Sequence, residues 1–200
     1  MSKVGFIQRK TYKNIEKYLS SYGDYIVRLA RKTIKKKAPG GSGRLSRALK
    51  YRINFRRSEW VVGFTSNRYG DFVEKGVRGV GGVVAKGRSG SKRNWMGYRT
   101  YIDTNGKRRM SPNKFKGKRP PTQSLMPWIM KNGISLKKGQ TLKGLAHAIS
   151  IGIFRKGLPG ISFFSQNIAA TKGQFKRKLA ENFAKDIEAG VMTHGFKVKI

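Results

Sequence analysis

The sequence predicts an α+β fold: a small antiparallel β-sheet flanked by a long N-terminal helix and by C-terminal helices, with a basic, glycine-rich β-hairpin arm inserted. Apolar residues step by three or four positions near both ends of the chain, as in helices with one buried face. In residues 49–65 apolar and charged residues alternate, as in a half-buried strand. We expect one core domain, residues 1–76 and 120–190, interrupted by the arm at 77–119 and followed by a tail at 191–200.

The composition excludes several classes of protein. The 200 residues include 45 Lys+Arg and only 9 Asp+Glu, a formal net charge of +36, yet 38% are hydrophobic, which argues against general disorder. The absence of cysteine excludes disulfides, a thiol nucleophile and cysteine metal sites, and the two histidines cannot form a histidine-rich cluster. No run approaches the ~20 apolar residues of a membrane span, and the N-terminus lacks a signal peptide's apolar region. We therefore expect synthesis in the cytosol, no membrane, and polyanionic or acidic partners.

The first predicted helix has one apolar stripe and a basic end. Lys35–Lys37 would form its last turn, where the helix dipole favours cations. The segment Ala38–Gly43 contains one proline and three glycines and therefore ends the helix. The stripe consists of Ile15, Leu19, Tyr22, Ile26, Leu29 and Thr33.

An antiparallel hairpin is predicted next, with Arg57-Ser58 as its connection. Gly63 is expected to mark a bulge or a close approach of backbone. The two apolar sets are Tyr51, Ile53 and Phe55 in the first strand, and Trp60, Val62 and Phe64 in the second.

A short helix should follow, capped by Ser66 or Asn67 and ended by Gly76. Its apolar face would consist of Tyr69, Phe72 and Val73, and we expect this face to pack on the hairpin.

The arm combines glycines with a strong positive charge. From Lys86 to Arg119 there are twelve Lys or Arg residues and one acid, Asp103. Thr100–Ile102 followed by Asn105-Gly106 predicts a small hairpin with a type I′ turn. We expect the arm to reach a neighbouring molecule and to become ordered only on assembly.

Three helices are predicted after Pro120-Pro121. The first would start at Thr122 or Ser124, with Pro127 tolerated only in its first turn. The second would begin near Thr141 and end at Gly157–Gly160, and the last would be closed by Gly190. The apolar positions expected to cover the sheet are Trp128, Ile149, Phe175, Leu179 and Phe183.

No group of residues forms a catalytic signature. Gly79–Gly82 lacks the spacing of a nucleotide-binding loop, and Asp103–Gly106 lacks the further acids of a calcium loop. His147 has no acid within 30 positions to orient it, so a packed or interface histidine is favoured over a general base. Asp71 and Glu74 are each expected to neutralise a nearby Lys or Arg. We therefore expect no cofactor, no metal and no enzymatic activity. The one enzymatic alternative, a nuclease, would need a metal held by Asp71, Glu74, Glu59 and Asp103.

The basic residues form two candidate contact sets, and either DNA phosphate or acidic protein faces fit their charge. Aromatic residues interleave with the basic ones from Arg93 to Tyr101, which suits stacking on bases or packing on a protein. The set near the hairpin is Arg44, Arg47, Lys50 and Arg52. The set in the arm is Lys86, Arg88, Lys92, Arg93, Lys107, Arg108, Arg109, Lys114, Lys116, Lys118 and Arg119.

Three blocks, taken together, resemble the tail-completion (neck, head–tail connector) proteins of tailed bacteriophages. Residues 43–49, GRLSRAL, resemble that family's "TGxLRxSI" at the start of the first strand. Residues 69–76, YGDFVEKG, resemble "YAxFVExGT", with Gly70 in place of Ala and Val77 in place of Thr. Residues 155–164, RKGLPGISFF, resemble "RGIPGxxFF/RPFL", and LMPWIMKNGI at 125–134 is also similar to a family segment. The motif positions are Gly43, Leu45, Tyr69, Phe72, Glu74, Gly76, Pro159, Gly160, Phe163 and Phe164.

The resemblance covers about residues 38–76 and 120–190 and implies a structural virion protein rather than an enzyme. It implies a ring, a hexamer or dodecamer of this chain, between the portal–adaptor complex and the tail, with double-stranded DNA in the lumen. The other hypothesis that the charge supports is a nonspecific double-stranded DNA-binding protein, histone-like or ribosomal in character.

Overall fold

Two long helices, α1 (Lys13–Lys37) and α6 (Ser165–Thr193), pack against each other and form the framework of the molecule. The computed structural model describes residues 12–38, 43–56, 59–83, 94–95 and 99–193. Within these ranges the other helices are α2 (Arg44–Ala48), α3 (Gly70–Lys75), α4 (Thr122–Lys131) and α5 (Leu142–Lys156). The strands are β1 (Lys50–Arg56), β2 (Glu59–Thr65), β3 (Gly76–Arg78), β4 (Gly82–Val83), β5 (Asn94–Trp95), β6 (Thr100–Ile102), β7 (Arg108–Met110) and β8 (Gly157–Pro159). The predicted α+β fold class is confirmed.

Strands pair two by two, and every pair is antiparallel: β1 with β2, β3 with β8, β4 with β5, and β6 with β7. Lys50 lies opposite Thr65 and Arg56 opposite Glu59, so the alternation of the sequence places the apolar sets of both strands on one face. The register is continuous where Gly63 faces Arg52, so the bulge expected at Gly63 is absent.

The core lies where α1 meets the hairpin and the start of α6. Its largest fully buried members are Leu49 and Phe163, each 1% exposed. Burying a Phe or Leu side chain contributes roughly 1.5–3 kcal/mol, so this contact between distant segments is a large part of the fold's stability. Tyr51, Phe64 and Val73 pack around it. The buried cluster is Val27, Ala30, Ile34, Leu45, Leu49 and Phe163.

Helix α3 differs from its prediction in its cap and in its apolar face. It begins after Tyr69, and neither Ser66 nor Asn67 caps it. Only Val73 packs against the core, whereas Tyr69 is 45% and Phe72 51% exposed. Tyr69 precedes the helix as its N-cap, and the 100° step between Phe72 and Val73 turns Phe72 toward solvent while Val73 faces inward.

Helices α4 and α5 pack mainly on each other rather than on the sheet. Pro127 lies inside α4 rather than in its first turn, and it is tolerated on an exposed part of the helix surface. Trp128 is 44% exposed, against the expectation that it covers the sheet, while Ile129 is 1% exposed. Helix α5 begins after Thr141 as predicted, and the Thr141 hydroxyl caps it by accepting from the backbone N–H of Gly144.

The end of α5 does not lead into a loop. Gly157 to Pro159 form β8, which pairs with β3. Helix α6 then continues through Gly190 to Thr193, so the predicted stop at Gly190 is wrong. A glycine within a helix costs only about 1 kcal/mol, which the remaining hydrogen bonds of a 29-residue helix offset.

The second half of the arm, residues 99–119, is bonded to the core within one chain. Ile102 donates its backbone N–H to the Ser162 hydroxyl at 2.7 Å, and the Ser111 hydroxyl donates to the Gly76 carbonyl at 2.8 Å. This half therefore has contacts with the core of its own chain, and ordering of the arm on assembly stays a prediction. Residues 84–93 and 96–98 lie outside the described residues.

The predicted hairpin exists as β6 and β7, but its turn is not type I′. Gly106 has a φ of +78°, whereas Asn105 is not among the residues with positive φ. Asp103 closes the turn, because its backbone pairs with Gly106 and Lys107, and its carboxylate accepts from the backbone N–H groups of Asn105 and Lys107 at 2.9 Å. A type I turn followed by a left-handed glycine fits this pattern.

Two helical glycines give a matched test of the packing between α1 and the hairpin. A methyl group at Gly23 would overlap the ring of Tyr51, whereas one at Gly173 in α6 meets nothing within 4 Å. We expect Gly23→Ala to lower the free energy of unfolding by about 1–3 kcal/mol through overpacking. Gly173→Ala should raise it by about 0.5–1 kcal/mol through helix propensity. Urea denaturation measures both, and equal shifts in the same direction would contradict the close approach.

Candidate assembly and nucleic-acid interface

The second and third motif blocks contact each other directly. Their strands pair with Gly76 opposite Pro159, and Gly76 adopts a φ of +74° with the backbone of Leu158 and Gly160 too close for any Cβ. The backbone N–H of Ile161 donates to the Val73 carbonyl at 2.9 Å. Segments about 90 residues apart are therefore joined by backbone pairing that only glycine permits at position 76.

Glu74 is the central side chain of this junction. It is 8% exposed and accepts hydrogen bonds from the backbone N–H groups of Phe164 at 3.0 Å and Ser165 at 2.8 Å, and from the Ser165 hydroxyl. These groups form the N-terminus of α6, where unsatisfied donors and the helix dipole favour an anion. Glu74 therefore caps a helix across the fold and does not neutralise a nearby cation as predicted.

The first block joins the same cluster through α2. Leu45 and Leu49 contribute to the buried core with Phe163, and Gly43 takes a φ of +73° where the chain enters α2. A Cβ at Gly70 would overlap the Ser66 side chain and lie 3.2 Å from Leu45. Glycine at position 70 therefore leaves room for the Ser66 side chain.

Ser162 tightens the link between the third block and the arm. It has a φ of +55°, the one positive value at a non-glycine residue in the part of the chain that the structure describes. Its backbone N–H donates to the Glu74 carbonyl at 3.0 Å, and its hydroxyl accepts from Ile102. Gly160 also donates to the Thr100 carbonyl at 3.3 Å. The strained backbone is held by bonds on both sides.

The basic residues near the hairpin are exposed on β1 and on the preceding helix α2. Lys50, Arg52 and Arg56 occupy alternate positions of β1 on its solvent face. Arg44 and Arg47 are exposed on α2, immediately before this strand. Alternate residues of a strand lie about 6.6–6.8 Å apart, so these cations form a row rather than a point site. Such a row can contact a polyanion along its length.

The arm contributes a second basic surface at its hairpin and the following loop. Lys107, Arg108 and Arg109 are exposed, and Lys172 of α6 anchors the turn by donating to the Asn105 side-chain oxygen at 2.7 Å. The other exposed members are Lys114, Lys116, Lys118 and Arg119. The remaining predicted contacts, Lys86, Arg88, Lys92 and Arg93, lie outside the described residues.

Two acids, the exposed Asp71 and the partly buried Asp103, are paired locally. The hydrogen bond from Lys75, at 2.8 Å, lowers the pKa of Asp71 and raises that of Lys75. The hydrogen bond from Arg109, at 3.0 Å, lowers the pKa of the Asp103 carboxyl. Both acids therefore stay ionised and neutralise a neighbour, as predicted for Asp71.

Among the described residues no group of three acids and histidines could hold a metal ion. His147 is exposed on α5.

Burial raises the pKa values of Tyr18 and Tyr22, which pack with Phe175 between α1 and α6. No described helix is long and apolar enough to cross a bilayer.

One buried acid was missed from the sequence. Asp186 in α6 is 3% exposed and accepts from the backbone N–H groups of Asn14 and Ile15, each at 2.9 Å, and from the Asn14 side chain. It caps the N-terminus of α1 as Glu74 caps α6. The only sequence signal is an acid within an apolar helical stripe, beside Phe183 and Ile187.

Glu74 and Asp71 give a matched pair of acids on one short helix. We expect Glu74→Gln to lower the free energy of unfolding by about 1–3 kcal/mol, because the buried α6 terminus loses a charged acceptor. Asp71→Asn should cost at most about 0.5 kcal/mol, because its pair with Lys75 is exposed. Thermal and urea unfolding at neutral pH measure both. Similar losses for the two variants would contradict the capping role.

Comparison of the chain with models of protein families, with curated proteins and with solved structures finds no match. The resemblance to phage neck proteins therefore rests on the three sequence blocks quoted above.

Proposed function

We propose that this chain is a structural subunit of the neck of a tailed bacteriophage and has no enzymatic activity. It assembles into a ring, a hexamer or dodecamer, that joins the portal–adaptor complex to the tail and surrounds the DNA channel of the virion. The observation that supports this most directly is the convergence of the three family-like blocks. Leu45, Glu74 and Phe163, one from each block, lie in one bonded and packed junction.

This convergence gives the family-like positions a common physical reason. Gly76 and Gly160 permit close backbone pairing, Glu74 caps α6, and Phe163 fills the core beneath them. The junction fixes the start of α6 relative to the hairpin, which is what a rigid ring subunit needs.

The exposed surface also fits a subunit with neighbours. Met130 is 69% and Leu136 46% exposed, and both lie outside the core. Apolar side chains of this size at the surface are typical of protein contacts when they cluster. The two basic surfaces, at β1 and at the β6–β7 turn, would face acidic neighbours or the DNA in the channel.

Ring formation is tested by native mass spectrometry and negative-stain imaging of the purified protein. We expect a closed ring, either alone or on addition of the portal, adaptor and tail proteins of the same phage. Lys107→Glu with Arg108→Glu should impair this assembly, since the turn carries exposed charge. Arg109 is left unchanged because it holds Asp103.

The matched control is Lys137→Glu with Lys138→Glu, which changes the same charge in the loop between α4 and α5. A monomer under all these conditions would contradict the ring. Assembly that survives the charge reversal, with only DNA retention altered, would assign the β6–β7 turn to DNA.

Nonspecific binding of double-stranded DNA is the second candidate, and the row of cations on β1 favours it. If Lys50 and Arg52 contact phosphates, replacing both with Gln should reduce the slope of log K against log salt by about 1.8, at roughly 0.9 per phosphate contact. Fluorescence anisotropy with a 20-base-pair duplex measures the slope. An unchanged slope would remove β1 from any DNA interface.

A further inference from the structure

A large apolar groove lies open between the hairpin and the helix pair. Its volume is about 800 Å³, and its lining is mostly apolar. Leu19 of α1 with Leu179 and Phe183 of α6 form one side, and Trp60 and Val62 of β2 form the other. The β6–β7 turn closes one end with Thr104 and Asn105.

The groove exists because the hairpin diverges from the two helices toward its tip. At the base of β2, Phe64 packs on Phe164 with 5.2 Å between ring centroids, so the hairpin touches the core there. Toward the tip, Trp60 packs on Phe55 of its own hairpin at 4.9 Å. Phe183, 43% exposed, stacks on Tyr12 instead of on β2. Two apolar surfaces therefore face each other, and no described segment forms a layer between them.

The described charged side chains that line the groove are all positive. Two lysines, Lys172 and Lys176, are among its lining residues, and no acid is among the described side chains that line it. Lys172 is held in place by its hydrogen bond to Asn105. The groove therefore combines an apolar surface with positive charge along α6.

We propose that this groove binds an amphipathic helix of a second protein, whose apolar stripe enters the groove and whose flanking side chains are acidic. From Lys172 to Phe183 the α6 side extends about 16 Å, which matches three turns of a bound helix. Recognition of this kind uses apolar anchors at helical spacing. Nucleic acid is the wrong occupant, because an apolar lining cannot solvate phosphate.

Charge also argues against the chain itself as the occupant. A second copy carries the same net charge of +36. Residues 1–11 contain three Lys or Arg and residues 194–200 contain two, and neither segment contains an acid. Like charges beside the two groove lysines would oppose binding, whereas acidic flanks would be attracted.

The acidic partner would be one of the neighbours in the neck, so in this respect the inference rests on the proposed function. The groove test nevertheless uses only the purified chain and synthetic peptides. A failed ring test leaves its result intact, and a failed peptide test leaves the ring proposal standing.

The probes are three 18-residue peptides measured against the full chain by isothermal titration calorimetry at 150 mM salt. One has leucines on one helical face and glutamates with glutamines on the other. The second has the same composition in scrambled order, and the third has lysine in place of glutamate. We expect the first to bind at least tenfold more tightly than either of the others.

Matched variants locate the binding. Lys176→Glu should weaken binding of the first peptide at least fivefold, whereas Lys178→Glu, on the same helix but outside this groove, should change it less than twofold. Leu179→Gln should weaken it at least tenfold, and Leu136→Gln should not. Circular dichroism confirms that each variant remains folded.

Four outcomes would overturn the proposal. Equal binding of the scrambled peptide would mean attraction to net charge alone, and equal effects of the Lys176 and Lys178 variants would place binding elsewhere. An oligomer of the free chain that Leu179→Gln dissociates would assign the groove to a second copy. A tenfold gain in peptide affinity on deletion of residues 1–11 or 194–200 would assign it to that segment.

Discussion

The rest of the structure depends on one interaction, in which the Glu74 carboxylate accepts hydrogen bonds from the buried N-terminus of α6. A helix N-terminus presents unpaired N–H groups, and burying them without an acceptor would cost about 1–3 kcal/mol each. Glu74 satisfies those of Phe164 and Ser165, so α6 can begin inside the core. The antiparallel course of α6 then brings Asp186 to the N-terminus of α1, where it plays the same part. Each long helix thus starts at a carboxylate that lies far away in sequence.

Four of the nine acids in this very basic chain cap helices or form local ion pairs. With only nine acids against 45 cations, few carboxylates remain to neutralise the surface. Glu74 and Asp186 are buried as caps, while Asp71 and Asp103 form exposed local pairs with Lys75 and Arg109. The cations of β1 and of the loop after β7 remain exposed. Salt screens their mutual repulsion, which otherwise opposes folding.

Local sequence patterns predicted the helices and strands well, whereas contacts between distant segments could not be predicted from the sequence. The alternation in 49–65 predicted the β1–β2 hairpin, and Thr141 predicted the start of α5, because each depends on neighbours in sequence. The role of Glu74 depends on a helix start 91 residues away, which no local pattern records. Ser162 has a positive φ because bonds on both sides hold it, not because of its residue type. For the same reason the sequence does not predict the contact between the second and third blocks, although each block is visible in it.

The open groove exists because the hairpin packs against the helices at one end only. A two-stranded hairpin is marginally stable alone, so β1 and β2 depend on packing against α1 and the start of α6. That packing is fixed at the Glu74 junction, where Phe64 meets Phe164, and it weakens toward the hairpin tip. A third strand or another helix would close the gap, but the described chain supplies neither there. A rigid junction at one end therefore holds the apolar face of β2 and the exposed side of Phe183 open to solvent. A partner that fills the proposed groove would bind a preformed surface. Its binding would cost less entropy than binding to a surface that must first become ordered.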